Sequence, residues 1–337
     1  MGLRIVARDN EITKGYSTRV YLKDGKKYIE SKKITYCSND VISIDNTGFV
    51  VGQKEGTGEI TLIYRKREYK LEILVSSEKR INYIGHRGAR PLSDDELLVP
   101  NTASAFLIGS KRKTYGIETD LRVSPDHVFY CHHDGEVTIT QANFIEDELK
   151  RYNIEVASDV NKIDYSILSK LKVHYVVGEK TVKSDITLLV DYLRICKKYN
   201  RKCVLEFKWT NGINSNDCSF VNEVVEMTKR EGMYENVFFM TSMRPCLEHI
   251  RNNYCDAAMQ LLTGKETTNQ DSVDWCIKYK ASLDAYYPSL NESLINQIHD
   301  NHLYVNAWTV NDKSVCNDLI EMGVDMITSD LLQEEWK

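Results

Sequence analysis

Four short segments of the chain carry acidic, basic and histidine side chains at spacings that suit metal-dependent chemistry. Glu118 and Asp120 stand two residues apart, and Glu206 and Lys208 repeat that spacing. In a β-strand, residues i and i+2 point to the same face, so each pair shares one face. Carboxylates on a common buried face repel one another unless a cation lies between them. Three carboxylates without a cysteine partner favour a hard cation, so the sequence predicts one Ca²⁺ or Mg²⁺ on Glu118, Asp120 and Glu206.

Two histidines are the candidate acid and base for such a site, because the pKa of an imidazole lies near neutrality. His86 precedes Arg87, whose planar guanidinium suits a phosphate group. His133 ends another strand-like run, and strand alternation should turn its neighbour His132 to the opposite face. We therefore predict His86 and His133 as catalytic residues and Arg87 and Lys208 as phosphate-binding residues.

Composition narrows the possible partners. The 337 residues contain 44 Lys and Arg against 49 Asp and Glu, a formal charge of −5 that argues against a nucleic-acid partner. No run approaches the length of a membrane span, and the first residues contain no signal-like apolar segment. The nine cysteines show no CxxC pair and are expected to be buried thiols. These features predict a cytoplasmic protein, or an exported one if a native signal has been replaced.

The elements that must position these residues begin after about residue 80. Before that point, short runs rich in Val, Ile, Thr and Tyr alternate with turn residues, a pattern typical of a small all-β sandwich over residues 1–77. From residue 81 onward, strand-like and helical runs alternate, which predicts an α/β domain over residues 78–337. The expected fold is a (β/α)8 TIM barrel, with a doubly wound open sheet as the alternative.

The N-terminal segment resembles a bacterial immunoglobulin-like group 2 domain. The resemblance covers most of residues 14–75 and rests on ITY at 34–36, VISID at 41–45, GFV at 48–50, GT at 56–57 and IT at 60–61. It implies an immunoglobulin-like sandwich of a kind found in cell-surface modules. Contact with a cell surface is therefore an expectation for this segment.

The remainder of the chain resembles the glycerophosphodiester phosphodiesterase family over residues 82–331. The matching motifs are HRG at 86–88, NTASAF at 101–106, IETDL at 117–121, HD at 133–134, LEFK at 205–208, WTVN at 308–311, GVD at 323–325 and TSD at 328–330. The chain departs from the family where Val99 and Pro100 precede Asn101, since the family has a glutamate between its proline and asparagine. It also lacks the family's proline after the closing Thr-Asp motif.

The resemblance implies metal-dependent hydrolysis of a glycerophosphodiester, or of a glycerol-phosphate polymer, to glycerol 3-phosphate and an alcohol. In this interpretation His86 is the general base, His133 is the general acid and Trp308 packs against the glycerol. The nucleophile is either water or a neighbouring hydroxyl of the substrate. One alternative is a phosphatidylinositol-type phospholipase C or phospholipase D-like lipid phosphodiesterase. Another, of a different class, is a non-catalytic cell-surface binding protein.

Overall fold

A computed structural model describes residues 2–112 and 114–332 of the chain. The predicted domains begin at residue 1 and end at residue 337, and residue 1 and residues 333–337 lie outside the described residues. The strands before residue 77 form sheets of their own and supply no strand to the large sheet that follows, as far as the described chain shows. The chain therefore changes architecture close to the predicted boundary.

Two small sheets make up the N-terminal part. Their strands are β1 (Leu3–Ala7), β2 (Glu11–Thr13), β3 (Ser17–Asp24), β4 (Lys27–Ile29), β5 (Thr35–Ser38), β6 (Ile42–Ile44), β7 (Phe49–Gly52), β8 (Gly56–Tyr64) and β9 (Arg67–Ser76). One sheet has the order β1-β3-β7-β6 with β4 beside β3, and the other has the order β2-β9-β8-β5. Alternate residues of these strands, such as Val20, Leu22, Ile60 and Leu62, share one apolar core. The immunoglobulin-like assignment stays a prediction.

Eleven strands follow in the described chain. They are β10 (Asn82–Gly85), β11 (Gly116–Val123), β12 (Phe129–Cys131), β13 (Lys172–Val177), β14 (Lys180–Asp185), β15 (Lys202–Phe207), β16 (Val237–Thr241), β17 (Ala258–Thr263), β18 (Ser282–Tyr286), β19 (Val305–Trp308) and β20 (Met326–Ser329). The helices between them are α1 (Ala103–Lys111), α2 (Glu146–Arg151), α3 (Tyr165–Leu168), α4 (Leu189–Lys198), α5 (Val221–Glu231), α6 (Arg244–Asn253), α7 (Gln270–Tyr279), α8 (Glu292–Asp300) and α9 (Lys313–Met322).

Eight of these strands close into a parallel barrel. Its order is β10-β11-β15-β16-β17-β18-β19-β20, and β10 pairs in parallel with both β11 and β20. Strand β12 is an addition that runs antiparallel to the end of β11. The predicted (β/α)8 barrel is confirmed and the open-sheet alternative is wrong, because the pairing of β10 on both sides leaves no edge in the ring.

A long insertion separates β12 from α4. It contains α2, α3 and the antiparallel β13–β14 hairpin, and it has an apolar core of its own around Phe144, Leu149 and Leu168. Asn143 of this insertion donates a hydrogen bond to Asp134, which follows β12. The insertion therefore packs beside the barrel mouth and helps to hold the loop that follows β12.

The N-terminal sheets cover the opposite end of the barrel, where the strands begin. Tyr115, just before β11, donates a hydrogen bond to Asp9, and Lys202 at the start of β15 forms an ion pair with the same carboxylate at 3.3 Å. The buried guanidinium of Arg8 lies 4.7 Å from the ring centroid of Phe238, a residue of the barrel interior. Residues 2–76 thus pack across the base of the barrel, at the end opposite the mouth.

No helix in residues 2–112 and 114–332 combines the length and the apolar character needed to cross a bilayer. Six of the nine cysteines are buried as predicted, but Cys37 and Cys255 are exposed. All nine are free thiols.

We expect the contact at the base of the barrel to be sensitive to the loss of one charge from the buried ion pair of Lys23 and Glu235, whose side chains are 3% and 9% exposed. Lys23→Met should lower the free energy of unfolding by about 3 kcal/mol, because it leaves the carboxylate buried without its cation. Urea denaturation checks this value. Lys54→Met breaks the exposed pair with Asp40 and should leave the free energy of unfolding nearly unchanged, because solvent screens that pair. Equal losses in the two variants would contradict the argument.

Candidate active site

The predicted site residues meet at the mouth of the barrel, where the strands end. His86 follows β10 directly, Glu118 and Asp120 lie on β11, and His133 stands two residues after β12. His86, Glu118 and His133 line a cavity of about 170 Å³. Its lining also includes Arg87, Glu206, Lys208 and Trp308. Barrel enzymes build their sites at this end, because the loops after the strands converge there.

The three predicted metal ligands form one compact cluster. Oxygen atoms of Glu118, Asp120 and Glu206 lie within 4.8 Å of one another. Burial, followed by repulsion from Asp120 and Glu206, raises the pKa of Glu118 well above its usual range. Glu118 Oε1 is buried without a hydrogen-bond partner among the described residues. A hard divalent cation fits this cluster. It would give the unpaired oxygen of Glu118 a partner and would neutralise the repulsion among the three carboxylates.

Asp120 is held in place by an asparagine in the left-handed backbone region. Asn101 has a φ of +64° and donates from Nδ2 to Asp120 Oδ2 at 2.6 Å. The Nζ of Lys208 and the Nε of Arg87 each lie 3.4 Å from this carboxylate. Burial alone would raise the pKa of Asp120, but these two cations hold it well below its usual range. These contacts orient Asp120 and favour its ionised form.

The turn after β10 brings a main-chain donor to the cluster. Arg87 and Gly88 have φ values of +49° and +87°. In this conformation the Arg87 N–H donates to Glu118 Oε2 at 2.7 Å. A Cβ on Gly88 would lie 2.7 Å from the Ala105 carbonyl carbon, so only glycine fits against α1. The His-Arg-Gly motif is thus explained by backbone geometry as well as by chemistry.

Each candidate catalytic histidine is oriented by an aspartate at Nδ1. His86 Nδ1 lies 2.8 Å from Asp330 Oδ1, and His133 Nδ1 lies 2.5 Å from Asp134 Oδ1. A carboxylate at Nδ1 favours the tautomer with the proton on that nitrogen, which leaves the Nε2 lone pair available to a ligand. Burial lowers the pKa of His86 although Asp330 opposes the shift. A lowered pKa keeps the imidazole of His86 unprotonated near neutral pH, so its Nε2 is available to accept a proton.

His132 has a different environment from its neighbour. It is 3% exposed, and its ring lies 5.1 Å from that of Phe144 in the insertion. Burial, followed by the nearby Arg122, lowers the pKa of His132 to about 3. His132 is thus a neutral packing residue and does not line the cavity, whereas His133 does.

Lys208 and Trp308 lie on opposite walls of the cavity. Lys208 Nζ contacts Glu206 Oε1 at 2.8 Å, so the basic group sits beside the cluster. Trp308 ends β19, with its ring 5.8 Å from that of Tyr286, and its Nε1 is buried without a partner in the described structure. The geometry places an anion-binding wall opposite an aromatic wall.

Several supporting residues were not predicted from the sequence. Asp330 follows β20 directly, and this strand-end position was the signal that could have identified it. Arg122 donates from its guanidinium to the His133 carbonyl at 2.7 Å and to the Trp209 carbonyl at 2.9 Å, which fixes two loops of the mouth. Asp284 of β18 also lines the cavity. Nothing in the spacing of Arg122 or Asp284 indicates these positions.

We expect Asp330→Asn to lower kcat at least about 10-fold, because the amide no longer enforces the Nδ1–H tautomer of His86. KM and the melting temperature should change little, since the amide keeps the size of the side chain and its contact with Asn311. Steady-state kinetics and a thermal melt check both expectations. An unchanged kcat would show that Asp330 does not position His86.

Comparison with known proteins identifies this class of barrel. Residues 86–334 match the model of the glycerophosphoryl diester phosphodiesterase family. The chain belongs to this family of enzymes. A glycerophosphodiester phosphodiesterase of Arabidopsis thaliana is 21% identical over 238 residues, which cover 70% of this chain and 68% of that protein.

Solved structures show the same fold. A family member from Silicibacter pomeroyi has a TM-score of 0.64 at 18% identity, over 75% of this chain and 90% of that one. One from Parabacteroides distasonis has a TM-score of 0.59 at 21% identity, over 77% and 96%. A phosphodiesterase from Oleispira antarctica, solved with the product sn-glycerol-3-phosphate, has a TM-score of 0.57 at 16% identity, over 74% and 92%.

Proposed function

We propose that this protein hydrolyses glycerophosphodiesters to glycerol 3-phosphate and an alcohol, with a divalent cation on Glu118, Asp120 and Glu206. The observation that carries the proposal is the single cavity that joins this carboxylate cluster to two aspartate-oriented histidines. Membership of the glycerophosphoryl diester phosphodiesterase family supports the substrate class. So does the product bound to the relative from Oleispira antarctica.

A phosphodiester monoanion needs its charge neutralised before a nucleophile can approach. Ca²⁺ or Mg²⁺ would supply Lewis-acid stabilisation of the charge on the phosphate oxygens. Arg87 and Lys208 stand beside the three carboxylates and bind the same phosphate. Because these charges are fixed in a buried site, they need no reorganisation as the reaction proceeds.

The two histidines transfer the protons. His86 accepts a proton at Nε2 from the nucleophile, which is water or a neighbouring substrate hydroxyl. If the hydroxyl attacks, the first product is a cyclic phosphate, and a water must then break one of its ring P–O bonds to give glycerol 3-phosphate. The new P–O bond forms as the bond to the leaving alcohol breaks. His133 enters this step with protons on both ring nitrogens and donates the Nε2 proton to the departing oxygen. Asp330 and Asp134 hold the rings at Nδ1 throughout. The division of roles rests on the lowered pKa of His86, whose side chain is 18% exposed, against the more open position of His133, whose side chain is 37% exposed.

The size of the cavity favours a soluble substrate over a membrane lipid. About 170 Å³ suits glycerol phosphate and is small beside the roughly 300–1,000 Å³ of typical ligand pockets. Trp308 offers an apolar face to the glycerol carbons. The chain length of a glycerol-phosphate polymer is no obstacle if one terminal unit enters the cavity.

The test is a substrate panel with and without a chelator. Glycerophosphocholine, glycerophosphoethanolamine and a glycerol-phosphate polymer are compared with phosphatidylinositol and phosphatidylcholine vesicles. We expect glycerol 3-phosphate from the soluble diesters, no release with chelator, and recovery with Mg²⁺ or Ca²⁺. Release from the vesicles alone would favour a lipid phosphodiesterase. No turnover with either ion in excess would favour a non-catalytic binding protein.

We also propose that residues 1–77 and 78–337 are two domains, the first an immunoglobulin-like module that contacts a cell surface. Separate sheets and a smaller apolar core within the N-terminal strands support the division, while Tyr21 packs into the core of the barrel at the contact between the two parts. The sequence resemblance supports the type of module. A binding experiment of the full chain to intact cell-wall preparations tests the contact.

A further inference from the structure

The wall of the cavity that faces the carboxylate cluster contains one acidic residue with no assigned task. Asp284 lies on β18 between Leu283 and Ala285, which belong to the apolar layer between strands and helices. Strand alternation therefore points Asp284 into the barrel, where it lines the cavity with Leu262 and Trp308. It is 2% exposed.

Asp284 Oδ1 has no hydrogen-bond partner in the described structure. Its cross-strand neighbour on β19 is already engaged, since Asn306 exchanges hydrogen bonds with Thr328 at 3.0 and 3.2 Å. Asp284 is also outside the compact carboxylate cluster that could hold a metal ion. A buried acceptor without a partner is costly, so its presence at the surface of a cavity points to a donor supplied by a ligand.

The arrangement of the cavity indicates which part of a ligand lies there. Arg87, Lys208 and the carboxylate cluster occupy the wall formed by β10, β11 and β15 and would bind the phosphate. The organic part of the ester must then lie toward β17, β18 and β19, where Leu262 and Trp308 offer apolar surface. The donors carried by a glycerol ester on this side are its hydroxyl groups.

We propose that Asp284 accepts a hydrogen bond from a glycerol hydroxyl of the substrate and thereby selects glycerol phosphoesters over alkyl or aryl phosphoesters. This inference rests on the proposed function and names the residue that recognises the glycerol. A carboxyl oxygen can accept such a bond in either protonation state. A site built to bind a hydroxyl discriminates strongly against analogues that lack it, because its own polar group is then left unpaired.

The experiment compares Asp284→Ala and Asp284→Asn with wild type on two substrates. Glycerophosphocholine carries glycerol hydroxyls, whereas bis(4-nitrophenyl) phosphate carries none. For Asp284→Ala we expect kcat/KM to fall about 10- to 100-fold on the first substrate and less than about threefold on the second. Asp284→Asn keeps an acceptor oxygen and should retain most of the preference. Ser282→Ala, two residues earlier on the same strand and outside the cavity lining, is the matched control and should leave both rates unchanged.

A binding measurement keeps the test independent of turnover. In the metal-loaded wild-type protein, calorimetry should show tighter binding of glycerol 3-phosphate than of methyl phosphate, and Asp284→Ala should abolish the difference. The proposal would be overturned if Asp284→Ala lowered kcat/KM equally on both substrates or on neither. It would also be overturned if wild type bound the two ligands with equal affinity. A different outcome would separate the two proposals. If wild type cleaved only bis(4-nitrophenyl) phosphate but still bound glycerol 3-phosphate more tightly than methyl phosphate, the proposed function would be contradicted and Asp284 would remain the glycerol-binding residue.

Discussion

Replacing His86 or His133 by alanine should lower kcat by at least about 10²-fold, and by up to about 10⁴-fold, which is the usual contribution of general acid–base catalysis. Each ring is fixed by an aspartate at Nδ1 and presents Nε2 to the same cavity. Loss of either ring removes one of the two proton transfers that the reaction needs. Steady-state kinetics with a chromogenic phosphodiester and with glycerophosphocholine provide the measurement.

His132→Ala is the control for these variants. Its ring packs in the insertion and does not line the cavity, so kcat per folded molecule should fall far less than in His133→Ala. The effects of His86→Ala and His133→Ala should not multiply in the double variant, because the two groups act in one reaction. Cation binding should survive in both single variants. An inactive His132→Ala beside a healthy His133→Ala would reverse the assignment.

Removing the cation, or one of its ligands, should have an effect at least as large. With chelator, or in Glu118→Gln, we expect turnover to fall by at least about 10³-fold, because the charge on the phosphate loses its main stabilisation. The cation should also raise the melting temperature of wild type, since 100-fold excess over Kd stabilises by about 2.7 kcal/mol. Thermal melts with and without Mg²⁺ or Ca²⁺ measure that shift, which Glu118→Gln should lack.

Glu226→Gln is the matched control for the ligand variant, since it changes a half-buried glutamate on α5 that is outside the cavity lining. It should keep both the turnover and the cation-dependent rise in melting temperature. If Glu118→Gln kept that rise as well, the cation would bind elsewhere. Full activity in chelator would remove the metal from the mechanism altogether.

The barrel and its carboxylate cluster were predictable because their signals are local and periodic. The i, i+2 spacing of Glu118 and Asp120 directs both side chains to one face of β11, and the alternation of strands and helices brings the ends of the barrel strands together. The contacts that complete the site are not local. Asn101 reaches Asp120 from a loop, through a left-handed backbone that spacing does not reveal.

Asp284 was missed for a related reason. A single carboxyl group in the short apolar strand β18 has no partner at a recognisable spacing in sequence. Its importance appears only when the closed barrel places it across the cavity from Glu118 and Glu206. The docking of the N-terminal sheets was equally hidden, since Arg8, Lys23 and Tyr115 contribute single side chains to a surface assembled from distant segments.

The base of the barrel is occupied by residues 2–76, while the catalytic cavity opens at the other end. If the N-terminal sheets bind a support, the opening of the cavity therefore points away from that support. Anchoring the chain there, through a natural partner or an engineered tether, would set the direction from which substrate arrives without narrowing its approach. A long glycerol-phosphate polymer attached to the same support would reach the cavity by bending back, so that its free terminal unit enters the opening.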